Sequence, residues 1–235
     1  MSFSSLEMLF GRIESETDFP RWTPELLRDR RRPVRPVTPE TATPASVLIG
    51  FLGSEHADDS PRVVLTKRTA DLSTHAGQVS FPGGRAEPSD ASAEQTAIRE
   101  ASEEIGLDPA AVRVWGRLPD YLTATGFSIS PVIAWVDAQA AAFAHDQREV
   151  AEIFHVPLSF LMDPANHQIR LLPAERSPTG ELIRFYAMPY QGEALTSPGQ
   201  TQEFFIWGAT ASMLRNLYHL LWAAWNQHRG MAVRG

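Results

Sequence analysis

Three glutamates within five residues, Glu100, Glu103 and Glu104, are the side chains in this sequence best suited to chemistry. Apolar residues recur around them with helical spacing, which predicts a helix over about residues 91–105. Residues three and four apart are neighbours on a helix surface, so the three carboxylates share one face. Like charges placed this way repel, and acidic groups in the last turns oppose the negative end of the helix dipole. A cation is therefore expected at this face.

The ligand chemistry suggests which cation. Hard divalent ions such as Mg²⁺ prefer carboxylate oxygens and commonly join protein carboxylates to substrate phosphates. Arg99 lies four residues before Glu103 and is expected to orient that carboxylate through a bidentate bond. For the three glutamates taken alone, a solvated acidic helix face is the alternative interpretation.

A glycine-containing segment, Phe81-Pro82-Gly83-Gly84, comes just before the helix. Glycine permits positive φ and leaves backbone amides and carbonyls open to a ligand or metal. Ser92 and Gln95 predict a capping box at the helix start, and Gly106 predicts its end. The buried stripe is predicted at Ala97, Ile98, Ala101 and Ile105.

Taken together, the loop and helix resemble the box of the Nudix hydrolases, G-x5-E-x7-R-E-U-x-E-E-x-G-U, in which U is aliphatic. The match runs over Arg99-Glu100-x-x-Glu103-Glu104-x-Gly106-Leu107. Counting from Gly84, Asp90 stands where the pattern has glutamate, and eight residues instead of seven separate it from Arg99. Ala101 is a small occupant of an aliphatic position. The three glutamates keep their register, so these departures are expected to affect the loop and leave the metal face intact.

A second motif narrows the resemblance. The segment before the box is similar to LLTxRSxxLxxHxGxVxFPGG of the Nudix coenzyme A pyrophosphatases, with Val64 and Thr69 as conservative departures. The matching positions are Leu65-Thr66-Lys67-Arg68, Leu72, His75, Gly77, Val79 and Phe81–Gly84. Similarity continues through residues 118–127, 149–158 and 206–211. It covers roughly residues 45–225, whereas the first 44 residues carry no comparable motif.

This resemblance implies a Nudix fold, a mixed β-sheet between helices, and Mg²⁺- or Mn²⁺-dependent hydrolysis of coenzyme A to 3′,5′-ADP and 4′-phosphopantetheine. It implies Glu100 and Glu104 as metal ligands, Glu103 as third ligand or general base, and the Gly84 carbonyl as a further ligand. Arg99 belongs to the same catalytic set. The base can also come from a distant loop, so three more glutamates stay open as alternatives. These are Glu149, Glu152 and Glu203.

Coenzyme A also carries a 3′-phosphate, which usually requires arginine or lysine. Lys67 and Arg68 are the local candidates, and structural pairing with an acid is the alternative for Arg68. His75 is a candidate donor to a phosphate, although an isolated histidine there is more often a structural anchor. Gly83 completes the predicted substrate-binding residues.

The composition and the pattern of apolar residues in the rest of the chain predict the fold that positions this site. With 235 residues, 43% hydrophobic and 21% charged, it has the composition of a globular protein. Residues 1–44 are predicted to form a helical extension and an Arg/Pro-rich linker, and residues 45–235 one domain. Short β-rich runs at 45–51, 62–66, 112–115, 129–136 and 182–186, with helices at 91–105 and 210–225, predict an α+β fold.

Charge and composition restrict the partners. The net charge of −7, from 28 acidic and 21 basic residues, argues against nucleic-acid binding. The absence of cysteine excludes disulfides and thiolate metal sites. No apolar segment is long enough to cross a membrane, and no secretory signal is evident, so a cytoplasmic location is expected. A homodimer is a common arrangement and stays open.

Two other functions stay open at this point. One is a Nudix enzyme acting on ADP-ribose, NADH or another nucleoside diphosphate derivative. The other is a non-catalytic Nudix-fold binding module. The three retained helix glutamates, Glu100, Glu103 and Glu104, argue against the second.

Overall fold

A computed structural model describes residues 5–8, 10, 37–53, 60–70, 76–138, 143–177, 180 and 182–232. The helices with described bounds are α1 (Ala93–Ile105), α2 (Leu158–Leu161) and α3 (Gly208–Ala232), and residues 5–8 and 10 are also helical. The strands are β1 (Thr43–Gly53), β2 (Arg62–Arg68), β3 (Val79–Ser80), β4 (Gly83–Arg85), β5 (Val112–Arg117), β6 (Tyr121–Leu122), β7 (Phe127–Asp137), β8 (Val150–Pro157), β9 (Gln168–Leu172), β10 (Ile183–Ala194) and β11 (Ser197–Trp207).

The strands form one mixed sheet in the order β11-β10-β8-β2-β1-β7-β5. The short strands β3, β4, β6 and β9 pair with β2, β1, β7 and β10, respectively. β1 and β7 are parallel, and the other pairs are antiparallel. In the antiparallel pair of β1 and β2, Phe51 lies opposite Val63. The sequence did not indicate β8, β9 or β11 as separate strands.

Alternate residues of β1 pack against helices on opposite sides of the sheet. Val47, Ile49 and Phe51 belong to a large apolar core that includes α3, whereas Leu48 belongs to a smaller core with α1. Successive residues of a strand point to opposite faces, so one strand serves both cores. The predicted α+β fold with a mixed sheet between helices is confirmed.

The final helix buries one apolar stripe. All six residues of that stripe are at most 8% exposed: Met213, Leu214, Leu217, Leu220, Leu221 and Ala224. The helix is longer than predicted and begins at Gly208. Within the described ranges, no helix is long and apolar enough to cross a bilayer.

Residues near the N-terminus pack into the large core. The described residues 5–8 and 10 are helical, and Leu6 and Phe10 are 0% and 3% exposed. The Phe10 ring stacks on Trp115, with ring centroids 5.2 Å apart. Residues 11–36, which include most of the predicted Arg/Pro-rich linker, lie outside the described residues. The predicted division of the chain at residue 44 stays a prediction.

Candidate active site

Side-chain and backbone caps fix the ends of α1. The Ser92 hydroxyl accepts a hydrogen bond from the Gln95 amide at 3.3 Å, as predicted for a capping box. The reciprocal bond is different, because the Gln95 side chain accepts from the amide of Ala91 at 2.7 Å. Gly106 adopts the left-handed conformation at φ 65° and donates to the Ser102 carbonyl at 3.0 Å. Glycine ends the helix here because few other residues adopt this conformation cheaply.

The buried side of α1 differs at one position from the predicted stripe. Ala97, Ala101 and Ile105 are buried, but Ile98 is only half-buried. Helix α1 packs on β1 and β4, and Glu104 lies on its buried side instead. The small side chain of Ala101 is fully buried in this contact. A potentially charged group therefore lies within the packed interface between the helix and the sheet.

Glu104 connects this helix to the glycine loop. Its side chain is 6% exposed, and its Oε2 accepts a hydrogen bond from the Gly83 amide at 3.0 Å. Arg68 Nη1 lies 3.6 Å from the other oxygen, Oε1. Burial raises the pKa of Glu104 to about 7, although the bond from Gly83 and the charge of Arg68 oppose this shift. The charges of Glu100 and Glu149 raise the pKa further.

Glu100 lies against the second glycine of the loop. A Cβ atom on Gly84 would be 2.4–2.6 Å from the carboxylate atoms of Glu100, so any larger residue here would displace that carboxylate. Arg99 Nη2 donates to Glu100 Oε1 at 3.1 Å. Burial raises the pKa of Glu100, Arg99 opposes that shift, and the charges of Glu103 and Glu149 add to it. The loop and helix thus bring two carboxylates of raised pKa together with Gly83 and Gly84.

Arg99 is the centre of the ionic contacts around the helix. Its Nε and Nη2 each lie 3.0 Å from a different oxygen of Asp90. The predicted bidentate bond to Glu103 is wrong, because a single bond of 3.1 Å joins Arg99 Nη1 to that carboxylate. The Asp90 carboxylate occupies the bidentate position instead. Hydrogen bonding to Arg99 holds the pKa of Asp90 well below its ordinary range.

Among the candidate substrate residues, Lys67 and Arg68 both lie near acids. Lys67 Nζ is 3.2 Å from Glu152 Oε1 and 3.4 Å from Gln202 Oε1. Within the described chain, the buried Arg68 Nε has no hydrogen-bond partner. His75 lies outside the described residues. The alternative of an acidic neighbour for Arg68 is thus observed, and ligand roles for these residues remain predictions.

The three distant candidates for the general base have different surroundings. The Asp146 backbone amide donates to the Glu104 carbonyl at 3.0 Å, and the Glu149 amide donates to the Asp146 carbonyl at 3.1 Å, so Glu149 lies in the loop beside the end of α1. Its charge contributes to the raised pKa of Glu100 and Glu104. Glu152 is bonded to Lys67 and Gln202. Glu203 accepts a bond from Gln191 at 3.4 Å in the β10–β11 hairpin. Of these three, Glu149 has the clearest electrostatic link to the helix carboxylates.

The donor chemistry suits a hard divalent cation. In the described part of the chain, no three acidic or histidine side chains form a complete metal-ligand cluster. Glu103 is 60% exposed at its side chain and is bonded to Arg99. Glu100 and Glu104 still supply oxygen donors whose negative charges a cation would stabilise. Mg²⁺ is commonly held by one or two carboxylates while it keeps several waters, so this pair fits it.

The chain is thus an α+β protein in which a loop–helix junction presents two carboxylates suited to a divalent cation. The NUDIX domain family matches residues 43–178 of this chain. The chain belongs to the Nudix hydrolase family. Hydrolases of this family generally use divalent metal ions.

Curated relatives support this membership. Nudix hydrolase NudL of Pectobacterium atrosepticum, described as uncharacterised, is 38% identical over 158 residues, which cover 67% of this chain and 74% of the relative. NudL of Yersinia pestis, described in the same way, is 34% identical over 157 residues, 67% of this chain and 71% of the relative.

Solved structures of Nudix proteins are also similar. The Nudix hydrolase RenU from M. smegmatis has 24% identity and a TM-score of 0.41, covering 50% of this chain and 72% of RenU. A MutT protein from Methanosarcina mazei Go1 has 20% identity and a TM-score of 0.40, covering 52% of this chain and 82% of that protein.

Proposed function

We propose that this Nudix hydrolase cleaves the diphosphate bond of coenzyme A, and of its thioesters, to 3′,5′-ADP and 4′-phosphopantetheine. The observation that carries the proposal is the contact of Glu100 and Glu104 with Gly84 and Gly83. This contact joins the helix of the Nudix box to the end of the motif that resembles the Nudix coenzyme A pyrophosphatases. The sequence motif from Val64 to Gly84 supports the choice of coenzyme A.

The proposed cofactor is Mg²⁺ or Mn²⁺, held by Glu100 and Glu104 with the Gly84 carbonyl as a further ligand. Such an ion, when bound, neutralises charge on the diphosphate and makes its phosphorus more open to attack by water. Glu104 must be deprotonated to act as a ligand, and its raised pKa makes this step sensitive to pH near neutrality. Arg99 orients Glu100 from one side through a 3.1 Å bond.

We propose Glu149 as the general base, with Glu103 as the alternative on the helix. Glu149 is exposed and lies close enough to Glu100 and Glu104 for its charge to raise their pKa values. An exposed carboxylate at the edge of the site can accept a proton from water and release it to solvent. Glu103 already accepts a bond from Arg99, which occupies one of its carboxylate oxygens.

For the 3′-phosphate of coenzyme A, Lys67 is the proposed contact. Its ammonium group donates to Glu152 and Gln202. Its side chain is 31% exposed, so it can also reach a ligand. Arg68 lies beside Glu104 and is proposed to contact substrate nearer to the scissile bond. His75 and the Gly83 backbone remain candidate contacts. A cytoplasmic location is part of the same proposal.

A competition assay tests the substrate. Purified protein with Mg²⁺ receives coenzyme A, ADP-ribose and NADH in equal amounts, and mass spectrometry follows the products over time. Early 3′,5′-ADP and 4′-phosphopantetheine are expected. AMP formed from the other compounds, with coenzyme A intact, would contradict the proposed substrate and favour the alternative. No product with either Mg²⁺ or Mn²⁺ would favour a binding module.

A further inference from the structure

The loop between the glycines and α1 departs from the Nudix pattern in two ways at once. Asp90 stands in place of glutamate, so its side chain is shorter by one methylene group. Eight residues instead of seven separate it from Arg99, so the backbone is longer by one residue. The shorter side chain withdraws the carboxylate from Arg99. The longer backbone segment gives the loop freedom to bring it closer.

The Asp90 carboxylate is fully engaged. Its Oδ1 accepts from Arg99 Nε at 3.0 Å. Its Oδ2 accepts from Arg99 Nη2 at 3.0 Å, from the Thr96 hydroxyl at 3.0 Å and from the Glu87 amide at 2.9 Å. The side chain is only 6% exposed. A longer side chain at this backbone position would displace one or more of these donors.

Through Arg99, these contacts extend to the Glu100 carboxylate at the glycine loop. Arg99, held by Asp90, also donates to the Arg85 carbonyl at 3.0 Å, to Glu100 at 3.1 Å and to Glu103 at 3.1 Å. A planar guanidinium fixed on one edge has little freedom on the others. The position of Asp90 therefore sets the orientation of Glu100, although Asp90 touches neither Glu100 nor its proposed ligand.

We propose that Asp90 and the additional loop residue are a matched pair that positions Arg99, and through it Glu100, for a divalent cation. Asp90 is a positioning residue in this proposal, which rests on the proposed metal-dependent function. The shorter carboxylate works only with the longer loop, and the longer carboxylate only with the shorter loop. The pair therefore predicts reciprocal compensation between two changes that are each harmful alone.

Three variants test the compensation: Asp90→Glu, deletion of Ala91, and both changes together. Ala91 is exposed, and its removal restores the seven-residue spacing to Arg99. Isothermal titration with Mn²⁺ alone measures metal affinity without any substrate. Each single change is expected to weaken binding about 10–100-fold, the usual cost of losing an outer partner of a metal ligand. The double variant is expected to recover to within about threefold of wild type, as coupled sites do in a double-mutant cycle.

Controls separate positioning from folding. Circular dichroism and thermal unfolding establish that each variant folds, and Ser89→Ala changes the same loop without touching the Arg99 contacts. If the deletion prevents folding, Thr96→Val removes one donor to Asp90, and weaker Mn²⁺ binding is expected there too.

Two results would overturn the proposal. One is wild-type Mn²⁺ affinity in Asp90→Glu, and the other is a double variant no better than the weaker single one. Because this titration needs no substrate, inactivity on coenzyme A with normal Mn²⁺ binding would count against the proposed substrate alone. The two proposals can thus fail separately.

Discussion

The Glu104 carboxylate accepts a hydrogen bond from the Gly83 amide at 3.0 Å, across 21 residues of sequence. This bond attaches the last turn of α1 to the strand–turn segment that precedes it. It satisfies one oxygen of a nearly buried carboxylate and leaves the other facing Arg68 at 3.6 Å. The position of the last turn of α1 is therefore coupled to that of the glycine loop.

Glu100→Gln and Glu104→Gln should each lower kcat with Mg²⁺ at least about 100-fold, since even outer partners of metal ligands cost about 10–100-fold. Glutamine keeps the size of the side chain but removes the charge that a cation requires. Initial rates over a range of Mg²⁺ concentrations measure the effect. Turnover equal to wild type in Glu100→Gln would refute the assigned metal site.

Glu104 should also make the stability of the metal-free protein fall as the pH rises. Its pKa is about 7 in the folded chain, against an ordinary value of 4.5 that applies once the chain unfolds, so the folded chain holds more protons between these values. The stabilisation is complete below about pH 4.5 and is lost through about pH 7. Glu104→Gln should therefore unfold at temperatures that depend less on pH in this window.

Thermal unfolding in EDTA between pH 5 and 8 measures this effect on wild type and Glu104→Gln. Asp90, whose pKa is lowered, has the opposite influence at acidic pH, but it is common to both proteins. The difference between the two proteins thus isolates Glu104. Parallel curves for both would show that Glu104 is ionised throughout.

Local spacing was sufficient to predict much of this site. The helical period correctly places Glu100 and Glu104 on the side of the glycine loop, whereas Glu103, which was predicted to share that face, is exposed and paired with Arg99. The spacing correctly paired Arg99 with Glu103, but the bidentate contact was assigned to the wrong carboxylate, because i,i+4 spacing does not show which carboxylate meets both guanidinium nitrogens. Asp90 makes the bidentate contact because the loop places its carboxylate beside Arg99 Nε and Nη2. This contact depends on the tertiary structure, so residue spacing alone does not predict it.

Pairing between distant strands was the part that sequence could not supply. Lys67 lies opposite Glu152 because β2 pairs with β8, and Gln202 reaches both from β11. The sequence did not predict β8 or β11, so these partners of Lys67 were not foreseen. Alternation of apolar residues reveals a strand, but the identity of its neighbour depends on the topology of the whole sheet.

The proposed base can be separated from the metal ligands. Glu149→Gln should lower kcat about 100–10,000-fold, the usual contribution of general acid–base catalysis. Mn²⁺ affinity should change little, because Glu149 acts on water and not as a proposed ligand. Glu203→Gln is the matched control, because this exposed carboxylate contacts Gln191 in the β10–β11 hairpin. If Glu103→Gln loses turnover and Glu149→Gln does not, the base lies on the helix.

Lys67 should determine the preference for the 3′-phosphate. Lys67→Gln is expected to lower kcat/KM for coenzyme A about tenfold or more, since a hydrogen bond to a charged group contributes about 1.5–3 kcal/mol. The same change should leave 3′-dephospho-coenzyme A almost unaffected. Kinetics on both substrates give the ratio directly. An equal loss on both would move the role of Lys67 away from the 3′-phosphate.

Residues near the N-terminus should contribute to stability even though they carry no part of the Nudix motifs. Leu6→Ala is expected to cost about 2–5 kcal/mol and Phe10→Ala about 3–5 kcal/mol, because both side chains fill the large core. Met8→Ala is the matched control on the same helical segment, since Met8 is 38% exposed.

Urea unfolding measures these differences, with turnover at low temperature as a second readout. Glu7 pairs with Arg113 at 3.0 Å between exposed side chains, so Glu7→Gln should cost less than about 1 kcal/mol. Equal stability of Leu6→Ala and Met8→Ala would show that the N-terminal residues do not belong to the core. A large loss in Leu6→Ala alone would mean that the folded unit begins well before residue 43, where the family match starts.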